Sequence, residues 1–170
     1  MVELFSVRTS VRTSSIAMAA KQQAASAAAT PSACSPPSPI EISVIRGNRP
    51  DQAAKAMVLD VRGGGGGRRH VLAILPGSRK LDFAAVATLF EARKCGFASP
   101  ETAQELTGCV MGAVPPFALD PAISIVVEED LLANETLFFN AGRLDRSMEL
   151  DTKDWLAIAK PRLARIATRD

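Results

Sequence analysis

Histidine is almost missing from this chain. His70 stands alone among 170 residues, which excludes a Cys–His or Ser–His nucleophile pair unless His70 itself supplies the base. It opens an apolar run directly after Arg68 and Arg69 and reads as an edge-strand residue. Cysteine is sparse as well. Cys34, Cys95 and Cys109 form an odd set with no CxxC spacing, so neither a disulfide framework nor a zinc site is indicated. No metal and no cofactor is expected. No apolar run is long enough to span a membrane, so no membrane partner is expected. Excess charge is also lacking. The net charge of +2 comes from the first forty residues, where Arg8, Arg12 and Lys21 face Glu3 alone. The remainder balances 17 basic against 17 acidic residues. Such a domain is no general nucleic-acid binder, and any contact of that kind would be local, through a few Arg and Lys on one face. Gly63–Gly67 is followed by two arginines, not by Gly-Lys-Ser/Thr, and no helix opens there, which removes a phosphate-cradle reading.

The length fits one domain. Residues 1–40 are rich in Ala and Ser, end in a Pro/Ser cluster (Pro31, Pro36, Pro37, Pro39) and hold a single acid. That is the composition of a plastid or mitochondrial transit peptide. A disordered low-complexity tail and a gene-model artefact are the alternatives, and without import the protein would be cytoplasmic. Met18–Ala29 shows no stripe of bulky apolar residues. Residues 41–170 suffice for one core and alternate strand and helix patterns. Ile42–Ile45, Met57–Val61, Val71–Leu75, Lys94–Ala98, Ile123–Val127, Thr136–Asn140 and Ser147–Leu150 read as strands. Gly63–Gly67 reads as a flexible hairpin connection, and Pro50–Ala54 as one helical turn. Asp82 caps a helix through Ala92, and Ser99-Pro100-Glu101 starts one that ends before Gly108. Thr152 caps a last helix through Ala159, where Pro161 interrupts. The basic tail from Arg162 to Arg169 reads as a solvated helical face, or as a weak nucleic-acid contact.

Against this regular background Thr107–Phe117 stands out. Gly108 and Gly112, four residues apart and closed by Pro115 and Pro116, describe neither a helix nor a central strand. Glycine permits positive φ and close approach of another molecule, whereas proline fixes φ and removes a donor. The result is a stiff loop presenting backbone N–H groups, or else a plain tight turn between strands. Lys55 enters the apolar run Ala53–Leu59, as a partly desolvated cation or as a snorkelling side chain. Asn140 either turns the chain at a strand end or bonds a ligand. Glu128, Glu129 and Asp130 read as a solvated turn.

In this order, Lys55, His70–Gly77, Thr107-Gly108, Gly112 with Pro116, and Asn140-Ala141-Gly142 resemble the YbaK/ProX family of aminoacyl-tRNA deacylases, which includes the editing domain of bacterial prolyl-tRNA synthetases. The likeness is greatest to its free-standing YeaK-type members. The resemblance runs from about Glu41 to the C-terminus. It implies one α/β (α+β) domain with a curved mixed β-sheet flanked by helices. It also implies hydrolysis of the ester of mischarged aminoacyl-tRNA, with the acceptor end of tRNA as partner and a synthetase as a further one. Lys55 and Gly112 would position the ester and stabilise developing negative charge. Gly108, Ala113, Val114, Pro115, Pro116, Asn140, Ala141 and Gly142 would bind the substrate. The substrate's own ribose hydroxyl would help activate water. Met57, Val110, Met111, Phe117 and Phe138 would shape the amino-acid pocket. Three departures stand against the pattern. Glu128, Glu129 and Asp130 lie where relatives commonly carry an aspartate near Glu129, and these carboxylates would sense the substrate ammonium or form only a solvated turn. Ala56 replaces a threonine common after the family lysine, and no helix and strand are visible before Glu41. A non-catalytic tRNA- or synthetase-binding module of the same fold is the alternative.

Overall fold

The computed structural model describes residues 47–64 and 67–169, together with Ser14, Ser15 and Ser43. Within them a two-residue strand, β1 (Ser14–Ser15), is followed by a long hairpin of β2 (Ala54–Arg62) and β3 (Arg68–Pro76). The β-branched and aliphatic residues of both runs pair antiparallel from Ala54 opposite Pro76 to Arg62 opposite Arg68. Next come α1 (Phe83–Leu89), β4 (Lys94–Phe97) and α2 (Pro100–Thr107). The chain continues through β5 (Ser124–Glu128), β6 (Thr136–Asn140) and β7 (Arg146–Asp151). It ends with α3 (Thr152–Ala159) and β8 (Arg162–Ala164). Short 3₁₀ turns occupy Pro50–Gln52 and Glu129–Ala133.

Five strands form a mixed sheet in the order β4-β2-β3-β5-β8. The β4–β2 and β2–β3 pairs are antiparallel, while β3–β5 and β5–β8 are parallel. β1, β7 and β6 form a small antiparallel sheet. Alternation along the strands divides the core in two. Ala54, Val58, Leu72, Ile74 and Val127 face Leu137, Phe139 and Trp155. Leu59, Val61, Val71, Ala73 and Val126 face Val86 of α1 and Ile166. The fully buried Leu and Ile side chains among them each stabilise the fold by about 1.5–3 kcal/mol. The α/β expectation, with a mixed sheet between helices, describes this architecture.

Several local expectations need correction. β3 is a central strand, paired on both sides, so His70 is not an edge-strand residue. α1 is capped by Asp82 as expected, whose Oδ1 accepts from Ala84 N (2.9 Å) and Ala85 N (3.1 Å). The helix stops at Leu89, not Ala92, because Phe90 leaves helical geometry and Glu91 takes a positive φ. The cap of α3 is Asp151, which accepts from Lys153 N at 2.9 Å, and Thr152 is the first helical residue. The residues after Pro161 form β8 beside β5, not a solvated helix. Glu128 is buried, and its Oε2 accepts from Ile166 N and Ala167 N, both at 2.6 Å. It is a clasp for the chain end, not part of a solvated turn. Ser43 has helical backbone where a strand over 42–45 was expected; its neighbours, and most of the segment 1–40, lie outside the described residues.

Candidate active site

The Gly108–Pro116 loop is held from below and from the side. Gly108 ends α2 in the left-handed region, φ 65°, with its N–H on Gln104 O. Only glycine takes this conformation without penalty. Thr107 Oγ1 donates to Ala103 O and accepts from Cys109 N. A tight turn follows, in which Ala113 N donates to Val110 O at 3.0 Å and Gly112 takes φ 83°. Ala113, Val114 and Pro116 are buried. Beneath them, Trp155 of α3 is fully buried and donates its indole N–H to Pro116 O at 2.9 Å. Phe117 meets Phe139 edge to face at 5.7 Å. The loop is therefore pinned to the core at its proline end.

The strand-end segment supplies the lateral braces. Asn140 Nδ2 donates to Gly112 O at 2.5 Å, and Gly142 N donates to Ala113 O at 3.1 Å. Ala141 N bonds Arg146 O across the β6–β7 turn. Asn140 ends β6, and its amide orients the loop by an intrachain bond to Gly112 O. With these carbonyls occupied, the N–H groups of Met111, Gly112 and Val114 are left without a carbonyl partner among the described residues. Unpaired amide donors near a positive-φ glycine, as at the exposed Met111 and Gly112, are suited to an oxyanion. Pro115 and Pro116 present no donor and stiffen the frame.

Lys55 is the second residue of β2 and is half-buried. Its ammonium donates to Arg79 O at 2.6 Å. No carboxylate pairs with it among the described residues. Burial holds its pKa below the ordinary 10.5. An isolated parallel bridge joins Ala53 to Phe138. In-register residues of parallel strands share a face, so Lys55 and Asn140, each two residues further on, leave that bridge on the same side. Direct contact gathers Gly112, Ala113, Asn140 and Gly142, with Gly108 and Pro116 bounding the same loop. Lys55 makes no hydrogen bond or ion pair to the loop among the described residues; its bond is to Arg79 O.

Trp155, Arg79 and Leu144 were not singled out from sequence. Trp155, the chain's one tryptophan, gave the only usable signal, on the apolar face of a short helix. Leu144 belongs to the β6–β7 turn, and its Cδ2 lies 3.4 Å from where a Cβ on Gly112 would sit. A cleft of about 420 Å³ adjoins Arg79, lined by Glu128, Asp130, Arg165, Ala167, Thr168 and Arg169. None of the loop residues lines it, and its charges are mixed, so the loop and not the cleft is the candidate centre. Among the described residues no cluster of His, Cys, Asp and Glu is arranged to hold a metal ion, and no helix is long and apolar enough to cross a membrane.

Comparison with known proteins decides the family. A family model described as an aminoacyl-tRNA editing domain matches residues 38–158. The chain belongs to the aminoacyl-tRNA editing domain family. The match contains every residue of the loop, its braces and Lys55. The multifunctional Ser/Thr-tRNA deacylase ProXp-y of Escherichia coli K12 is 42% identical over 123 residues, covering 72% of this chain and 73% of that protein. The protein of the same name from Escherichia coli O157:H7 gives the same figures. Among solved structures, a protein described as a trans-editing enzyme for prolyl tRNA synthetase superposes with a TM-score of 0.67. It is 24% identical, over 77% of this chain and 80% of that one. A hypothetical protein superposes with a TM-score of 0.69 at 22% identity, over 79% of this chain and 87% of that one. At those identities the superpositions establish an editing-domain fold.

Proposed function

We propose that this editing-domain protein is a free-standing aminoacyl-tRNA deacylase that acts in trans, hydrolysing the ester between a mischarged amino acid and the terminal ribose of tRNA. The observation that carries the reading is the Gly112 loop. Its carbonyls at Gly112 and Ala113 are tied down by Asn140 and Gly142, while the N–H groups of the exposed Met111 and Gly112 have no carbonyl partner among the described residues. Water attacks the ester carbonyl, and negative charge builds on the carbonyl oxygen. Fixed amide donors bind that oxyanion without reorganising, which is where electrostatic catalysis is largest. Lys55 adds a desolvated positive charge, worth more near the strand ends than in water. The leaving group is a ribose hydroxyl. The neighbouring ribose hydroxyl of the substrate assists the water, a role the family resemblance implies. Ser- and Thr-tRNA, the substrates in the bacterial relative's name, are the first esters to offer. A synthetase that releases the mischarged tRNA is the natural partner. The composition of residues 1–40 supports delivery to an organelle, which fusion of that segment to a fluorescent protein tests.

The deciding experiment measures deacylation of tRNAs charged with Ser, Thr, Ala, Cys and Pro, by the wild type and by Lys55→Ala. Hydrolysis of at least one ester that falls about 10²–10³-fold in the variant, with unchanged thermal unfolding, is the expected result. A folded protein that binds uncharged tRNA tightly and hydrolyses none of the five refutes the deacylase and selects a binding module.

A further inference from the structure

Three large apolar side chains beside the Gly112 loop are exposed to solvent: Val110 (50%), Met111 (68%) and Leu144 (53%). Leu144 sits against Gly112, and Val110 and Met111 immediately precede it, so the three make one ridge along the loop. The β6–β7 turn that carries Leu144 is anchored to the loop by the Gly142 N to Ala113 O and Asn140 to Gly112 O bonds. The ridge is therefore fixed relative to the unpaired amides of Met111 and Gly112. Two cations flank Leu144. Arg143 is held by both oxygens of Asp145, at 2.8 and 3.0 Å, so its charge is largely neutralised. Arg146 is exposed and forms no direct ion pair among the described residues; its charge acts only weakly on Asp145, which Arg143 already holds.

We propose that this ridge, with Arg146 at its margin, receives the single-stranded 3′ end of tRNA next to the charged terminal nucleotide. The inference rests on the deacylase reading, because the ester is carried by the last ribose. Wherever the ester meets the loop, the preceding nucleotides must lie on the surface adjoining it. Unstacked bases need apolar surface, and the phosphates between them need a guanidinium. The ridge offers both. The cleft beside Arg79 fits phosphates less well, since Glu128 and Asp130 share it with the arginines.

The test uses the full chain and an uncharged, 5′-labelled RNA hairpin, with and without a single-stranded CCA tail, at several salt concentrations. Removing the tail should weaken wild-type binding about tenfold. Leu144→Ser and Arg146→Ala should each weaken binding of the tailed hairpin by about five- to tenfold. Binding of the blunt hairpin should move less than about twofold. Arg146→Ala should also reduce the salt slope by about 0.7, one single-strand phosphate contact. Thermal unfolding confirms that both variants fold. Equal binding of both hairpins by the wild type overturns the proposal, as does equal loss on both by the variants. No ester is cleaved in this experiment. A failed deacylase therefore shows as tail binding without hydrolysis in the earlier assay, and a failed ridge as hydrolysis without tail preference.

Discussion

Replacing Trp155 with phenylalanine separates the stability of this fold from the placement of its Gly108–Pro116 loop. Trp155 is fully buried in α3, and its indole N–H reaches the buried carbonyl of Pro116. Phenylalanine keeps most of the apolar surface but leaves that carbonyl without its donor. An orphaned buried acceptor costs about 1–3 kcal/mol. The smaller ring leaves a partial cavity costing about another 1 kcal/mol. A loss of roughly 2–4 kcal/mol lowers the Tm by about 8–15 °C for an ordered region of this size. Urea denaturation monitored by far-UV circular dichroism reads the first number, because the variant lacks the native fluorophore. The functional part is read at 20 °C, where the variant is still folded. Without its anchor the Pro116 end of the loop is free to shift, and the amide donors with it. A misplacement of 1 Å in such a frame costs up to about 10²-fold in rate, so kcat should fall by about 10–100-fold. Val86→Ala is the control. Val86 of α1 is fully buried in the other half of the core. It should lose about 1–3 kcal/mol of stability and keep its kcat. If Trp155→Phe deacylates at the wild-type rate, or if both variants lose rate equally, the anchoring argument is wrong.

Lys55 makes a pH prediction. Burial lowers its pKa below 10.5, so the ammonium that the reaction uses disappears earlier than in a free lysine. After subtraction of spontaneous ester hydrolysis, the rate should decline as pH rises through a value below 10.5, and Lys55→Ala should lack that limb. The stability effect has the opposite sense. The unfolded chain binds more protons between the two pKa values, so Lys55 makes the fold more stable as pH rises through that window. Asp60 behaves as an acid-side counterpart. Hydrogen bonds first from Arg62 and then from Arg68 hold its pKa at about 2 against burial. Its contribution is full above 3.8 and is lost as pH falls toward 2. Asp60→Asn should cost about 1–2 kcal/mol at pH 7, given two exposed partners, and should flatten the acid limb of urea midpoints plotted against pH. Glu128→Ala removes the acceptor of two backbone N–H groups. It should destabilise by about 3–5 kcal/mol and release amide-exchange protection at Ile166 and Ala167 before that of β3. Retained protection there would refute the clasp.

Much of the scaffold was legible because its signals are local. Thr136–Asn140 is β6 residue for residue, and the hairpin around the glycine run differs from expectation only in the length of its strands. Ser99-Pro100 starts α2 and Gly108 ends it. Each of these depends on a strand pattern, a cap or a positive φ carried by the residues themselves. The errors occurred where distant residues intervene. The basic tail carries no strong strand pattern, yet Glu128, far away in sequence, captures its backbone and β5 pairs with it. His70 looked marginal beside two arginines, but β5 pairs with β3 on the side away from the hairpin.

The site divides along the same line. Residue types and order alone pointed to the family and to the loop, Lys55, Gly112 and Asn140 as candidates. Their order and spacing are legible without knowledge of the fold. Tertiary structure alone decided what holds the loop and what stands beside it. Trp155 beneath Pro116, Asn140 on the Gly112 carbonyl, and Leu144 against Gly112 are contacts spanning roughly 30–40 residues. Chain periodicity cannot encode such pairings, because they are set by how two cores and two sheets pack against one another.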